Sequence, residues 1–165
     1  MEPGTTTPWW KGARGEWFVV IQDVLMLLVF VGPRTVSGGW EWSLAASRER
    51  QVVGAVLVAV GTAFLLAGLF RLGRALTPMP YPKSNAPLVQ TGPFALVRHP
   101  IYSGGLVASL GIAVGVSGWL TWWYVAALFA LVDSKSRWEE RWLSEKFPEY
   151  RDYQRRVRKL VPFVY

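Results

Sequence analysis

Long uncharged runs separated by short charged intervals set the pattern of this chain. QVVGAVLVAVGTAFLLAGLF, residues 51–70, carries no formal charge. At 1.5 Å per residue it is long enough to cross a hydrocarbon core of about 30 Å. WFVVIQDVLMLLVFVGP, residues 17–33, is a shorter apolar run with Gln22 and Asp23 inside it and Pro33 at its end. Residues 101–132 then hold 32 positions without a formal charge, more than one ordinary crossing needs. Within them GVSGW, residues 115–119, offers glycine and serine for a tight reversal and a tryptophan suited to an interface. The run therefore divides into a hairpin of two short helices, roughly 101–116 and 119–133. The predicted fold class is all-α: a polytopic integral membrane protein with about four transmembrane helices.

The polar segments predict different elements. After Asp133, apolar or aromatic residues at Trp138, Trp142 and Leu143 stand beside Lys135 and Glu139 at i,i+4, which reads as an amphipathic cytoplasmic extension of the fourth helix. Pro148 marks a break. Tyr150, Tyr153 and Val157 then recur at helical spacing until Pro162 closes the pattern. The 72–100 connection cannot be one regular helix, because the prolines of TPMPYPKSNAP interrupt it. Gly54, Gly61 and Gly68 in the second span, and Gly104, Gly105, Gly111 and Gly115 in the third, allow close backbone approach. Such faces pack equally well within one chain or between two, so the oligomeric state stays open.

Charge gives the spans a direction. No acidic residue lies between Glu49 and Asp133, while 9 of the 18 Lys and Arg fall in the last 31 positions. Four more lie in 71–100, three in 34–50 and none in the 115–118 turn. The positive-inside rule places both termini and the 71–100 loop in the cytoplasm. Trp9, Trp10, Trp17, Trp40, Trp42, Trp119, Trp122 and Trp123 gather near the proposed boundaries, as an aromatic belt requires. Basic residues that flank apolar spans argue against a nucleic-acid partner. The first apolar run is followed by GPRTVSGG, a poor signal-peptidase site, and is expected to be retained.

Composition narrows the chemistry further. With no cysteine, disulfides, thiolate metal sites and cysteine nucleophiles are excluded, and with a single histidine no metal site is expected. Asp23 is costly at membrane depth unless it finds a partner. An interhelical hydrogen bond, a pocket or the interface would each accommodate it.

The only histidine lies in TGPFALVRHPIYSGG, residues 91–105. Pro100 fits the first turn of a helix and pushes His99 out of helical geometry. That start, with Arg98 beside it, would receive an anion at the cytoplasmic boundary. It would equally serve as a headgroup anchor, just as Glu139 and Glu140 would suit a solvated helix face.

Taken together, GPFALVRHPIYSG at 92–104 and the spacing K-x-x-x-E-E-x-x-L-x-x-x-F-x-x-Y-x-x-Y-x-x-x-V-x-x-x-x-P from Lys135 to Pro162 resemble the isoprenylcysteine carboxyl methyltransferase and phospholipid methyltransferase superfamily. The resemblance covers roughly residues 84–165. It implies one membrane methyltransferase domain over 1–165, with N-terminal spans and connection in 1–83 and a cofactor-binding core in 84–165. The implied cofactor is S-adenosyl-L-methionine in a cytosolic-side pocket. His99, Pro100, Tyr102, Gly104, Glu139 and Glu140 would bind it, with Arg98, Glu140 and Arg156 implied as catalytic. Arg98 would face the cofactor carboxylate or the acceptor, and Arg156 the methyl acceptor. The acceptor would be a lipophilic small molecule, lipid or lipidated substrate entering from the bilayer, with carboxylate O-methylation foremost. Pro148 departs from the family's frequent glycine after the Phe. A phospholipid or other lipid methyltransferase, a nicotinamide-dependent sterol-type reductase and a non-enzymatic membrane scaffold are the competing readings.

Overall fold

The computed structural model describes residues 15–36, 48–77, 87–116 and 118–165. They form five helices: α1, Glu16–Val31; α2, Arg48–Leu72; α3, Pro100–Gly115; α4, Trp119–Lys146; and α5, Tyr150–Arg156. Among the described residues there is no strand, only an isolated parallel bridge between Val97 and Arg158. The four apolar runs thus fall in α1 to α4, and α4 continues unbroken through the amphipathic extension. The prolines at 78–86 and Trp9, Trp10, Trp40 and Trp42 lie outside the described residues.

The principal helix pair is α2 against α3. Gly54, Gly61 and Gly68 are the buried residues of α2 and recur every seven positions, so they occupy one face. A Cβ added to Gly61 would stand 2.4 Å from the Ala108 amide nitrogen and 2.6 Å from the Gly104 carbonyl oxygen. One added to Gly104 would meet the Gly61 carbonyl and the Leu65 nitrogen at 2.5 Å. The backbones therefore touch, which only glycine permits. This contact brings the N-terminus of α3 up against the C-terminal end of α2, where Gly68 faces Pro100 and Ile101.

The second packing unit joins α1, α4 and the tail. Leu128 and Val132 of α4 are buried with Leu160, and Leu25, Met26, Tyr102 and Leu106 pack around them. Arg34 terminates α1 by donating to the Val29 and Phe30 carbonyls at 2.7 and 2.6 Å, and also reaches Thr121 of α4 at 3.2 Å. Arg50 of α2 donates to the Val114 and Val116 carbonyls at 3.1 and 3.3 Å, beside the end of α3. Both arginines satisfy carbonyls that a helix end leaves without a partner.

α2 alone among the described helices is long and apolar enough by length and composition to cross a membrane; α3 is apolar but shorter. The outward faces of α1 and α2 expose large apolar side chains, including Val24, Leu27, Phe30, Val56, Val60 and Phe70.

The helix predicted from Tyr150 toward Pro162 stops at Arg156. A continued helix would give the amides of 160 and 161 to the carbonyls of 156 and 157, but both amides donate to the Tyr165 carbonyl. The Val157 carbonyl accepts from Arg98, and the carbonyls of 158–160 pair with the segment that leads into and begins α3. Arg98 and His99 donate their amides to the Arg158 and Lys159 carbonyls at 2.8 and 3.1 Å, and the Ser103 hydroxyl donates to the Leu160 carbonyl at 2.6 Å. The tail then closes on α4: buried Lys159 donates to Asp133, and the Tyr165 hydroxyl reaches the same carboxylate at 2.7 Å.

Candidate functional site

The segment 97–103 runs from extended backbone into a helix, and that change of geometry builds the site. His99 is the residue before Pro100 and lies outside the helix at φ −124°, ψ 65°. Pro100 forbids helical geometry there, and its missing N–H costs nothing at the first helical position. The side chains of Arg98 and His99 thereby turn toward α4 and meet its paired glutamates.

Glu140 is the hub. Its Oε1 accepts from Arg98 Nε at 2.7 Å and lies 3.1 Å from His99 Nε2, while Oε2 accepts from Gln154 Nε2 at 3.0 Å. Arg98 also donates to the Gln154 carbonyl at 3.2 Å and to the Val157 carbonyl. Burial alone would raise the Glu140 carboxyl, but the hydrogen bonds from His99 and Arg98, and the attraction of both, hold it at about 2. It stays ionised across the physiological range.

Glu139 serves the other side of His99. Its Oε2 accepts from the Tyr102 hydroxyl at 3.0 Å and lies 3.7 Å from His99 Nδ1. The Tyr102 ring stacks on the imidazole with centroids 5.4 Å apart. Lys135, one turn earlier on α4, is buried; its Nζ lies 5.2 Å from the Tyr102 ring centroid and donates to Gln22 Oε1 of α1 at 2.9 Å.

Beside this network is a cavity of about 400 Å³, within the range of small-molecule sites. Arg98, His99, Pro100, Tyr102 and Glu139 line it, joined by Asp23 and Lys135. Apolar and aromatic residues from α2, from the 87–94 segment and from 143–153 complete its wall. Glu140 does not line it and stands one layer behind. Gly104 sits in the α2–α3 contact, where its lack of a side chain admits the Leu65 backbone. Arg156 is exposed on α5, bonded to the Asp152 carbonyl at 3.3 Å and Gln90 Oε1 at 3.4 Å, and does not line the cavity. Among the described residues no group of three or more His, Asp or Glu side chains is assembled as a metal site.

Several contributors gave no signal in the chain. Gln154 carries no charge or motif that marks it as a Glu140 partner, and the carbonyls of 158–160 have no side-chain signature at all. Tyr150 and Tyr153 are visible as a helical spacing, yet nothing in that spacing shows that they line a cavity with Phe94. Burial raises both phenols well above their ordinary range, so they remain neutral.

A family model described as phospholipid methyltransferase matches residues 50–150. The chain is similar to the cobalt-zinc-cadmium resistance protein CzcN of Cupriavidus metallidurans, 32% identical over 149 residues that cover 90% of this chain and 62% of the relative. It is 36% identical over 93 residues to methanethiol S-methyltransferase 1 of Bradyrhizobium diazoefficiens, covering 56% of this chain and 30% of that protein. A probable protein-S-isoprenylcysteine O-methyltransferase of Oryza sativa is 28% identical over 116 residues, covering 68% of this chain and 61% of the relative. The chain therefore spans less than two thirds of the length of each of these relatives.

Proposed function

Because this chain belongs to the phospholipid methyltransferase family, we propose that it is an integral membrane methyltransferase that uses S-adenosyl-L-methionine and modifies a lipophilic acceptor. The observation that carries this reading is the cavity of about 400 Å³ whose wall holds the R-H-P-x-Y segment together with Glu139. The residue set suits the cofactor. A sulfonium compound bearing an α-amino carboxylate and a nucleoside needs acceptors for an ammonium and hydroxyls, a cation for a carboxylate, and an apolar wall for the base. Asp23 and Glu139, Lys135, and the aromatic residues supply these in turn.

When bound, the cofactor supplies a methyl group already activated by the positive sulfur. What remains for the protein is to bind, orient and exclude water. Glu139, His99 and Tyr102 form one rigid hydrogen-bonded and stacked unit on the cavity wall. Glu140 and Arg98 hold that unit from behind, so we assign them the role of positioning it. A carboxylate acceptor is ionised at neutral pH and needs no general base, which favours carboxylate O-methylation. The relatives' names include a thiol and an isoprenylcysteine as acceptors, and that of the metal-resistance relative specifies none.

The same reading sets α1, α2, α3 and the first half of α4 in the bilayer, with both termini and the site on the cytoplasmic side. The exposed apolar faces of α1 and α2 and the basic tail support it.

Calorimetric titration of the detergent-purified protein with S-adenosylhomocysteine tests the cofactor, with NADPH as the alternative ligand. Saturable binding of the first and none of the second is expected. A folded protein that binds no S-adenosylhomocysteine overturns the reading. Incubation with labelled S-adenosyl-L-methionine and a membrane lipid extract, followed by mass spectrometry, identifies the acceptor.

A further inference from the structure

Tyr165 marks a level along α4. Exposed Trp122, Trp123 and Phe129 precede the point where charge resumes at Asp133 and Arg137. The Tyr165 ring meets Phe129, with centroids 6.4 Å apart. Its hydroxyl donates to Asp133 at 2.7 Å and accepts from Lys159 and Arg137 at 3.0 and 3.1 Å. One residue thus joins an outward apolar face to a cluster of charge, the arrangement that an amphipathic aromatic side chain takes at a membrane–water interface.

Just before it the chain makes a compact turn. The Leu160 and Val161 amides donate to the Tyr165 carbonyl at 2.7 and 2.6 Å, and the Val164 and Tyr165 amides to the Val161 carbonyl at 3.2 and 3.0 Å. Pro162 has no amide to satisfy, so most of the turn's backbone donors are already paired and entry into an apolar medium costs little. Phe163 sits at φ 64°, left-handed backbone that disfavours a bulky residue, and is the only non-glycine there among the described residues. Its side chain is 88% exposed and that of Val164 75%, so no packing within the chain offsets the strain. At the base of the turn Arg137 and Lys159 share one carboxylate, that of Asp133, and exposed Arg158 adds a further positive charge.

We propose that residues 161–164 form an interfacial anchor: Phe163 and Val164 enter the headgroup–acyl boundary of the leaflet nearest the site, and the cations at their base face phospholipid phosphates. This rests on the first half of α4 standing in the bilayer. Two features choose lipid over a protein partner. Through Phe129 the turn continues the outward apolar face of α4, and its basic base complements a phosphate surface. The anchored turn directly follows 158–160, whose carbonyls hold Arg98, His99 and Ser103.

The chain has no cysteine, so Phe163→Cys, Val164→Cys, Phe129→Cys and Asp152→Cys each place a single nitroxide label. Power saturation with oxygen and with a neutral nickel chelate reads the depth of each label in bilayer discs of phosphatidylcholine and phosphatidylglycerol. The labels at 163 and 164 are expected about 5–10 Å below the phosphates, the label at 129 deeper and the label at 152 in water. If 163 and 164 are as open to nickel as 152 while 129 lies in lipid, the anchor is overturned and the membrane reading stands. Shielding of 163 and 164 from both reagents also overturns it, because a protein surface would then cover the turn. A label at 129 in water overturns both.

Discussion

Arg98 and Glu140, 42 residues apart in the chain, meet in a 2.7 Å ion pair with side chains only 10% and 12% exposed. The pair joins the start of α3 to the middle of α4, and Gln154 and the Val157 carbonyl tie the tail to the same point. Removing one partner leaves a buried charge without compensation. Glu140→Gln is expected to lower unfolding stability by about 3 kcal/mol, measured by chemical denaturation in detergent. In a double-mutant cycle with Arg98→Gln, the two losses should be strongly non-additive. Simple additivity would show that the pair is not coupled.

The pH response follows from the same carboxylate. Its folded value of about 2 lies below the ordinary 4.5, so the unfolded chain takes up the proton first as pH falls. The stabilisation is complete above pH 4.5 and disappears between 4.5 and 2. Acid unfolding followed by tryptophan fluorescence should therefore be shallower over that window in Glu140→Gln, by up to about 1.4 kcal/mol per pH unit. Parallel curves for the two proteins would contradict this.

Gly61 and Gly104 should not tolerate even a methyl group. Gly61→Ala and Gly104→Ala each drive a Cβ into backbone atoms of the facing helix and are expected to cost about 1–3 kcal/mol. Gly105→Ala is the control, because its Cβ would meet nothing closer than a Leu65 methyl at 3.7 Å. Thermal midpoints of the three variants, read in one detergent, check the ordering.

Arg156 does not line the cavity, and its side chain bonds to Gln90 and to the Asp152 carbonyl of its own helix. Arg156→Ala should therefore bind S-adenosylhomocysteine within twofold of wild type and unfold at the same temperature. If it contributes to turnover, the defect should appear in the KM for the acceptor. A tenfold loss of S-adenosylhomocysteine affinity would place the side chain in the cofactor site instead.

Local pattern along the chain determined the helices, because span length, proline placement and glycine spacing act on neighbouring residues. α1 to α4 coincide with the apolar runs, Pro100 starts α3, and Gly54, Gly61 and Gly68 form the face that α3 packs against. The pairing of the R-H-P-x-Y segment with the two glutamates was legible only by resemblance, since no local rule brings Arg98 to Glu140. Tertiary structure alone decided how the work divides between the glutamates: Glu139 faces the cavity and Glu140 stands behind it. Adjacent residues on a helix point about 100° apart, and which one meets the pocket depends on where α3 and the tail lie. The end of α5 was a tertiary outcome for a related reason. Residues 157–160 carry a pattern able to continue the helix, but the amides of 160 and 161 are turned to the Tyr165 carbonyl and the carbonyls of 157–160 to Arg98, His99 and Ser103, and such backbone hydrogen bonding leaves no mark in the order of side chains.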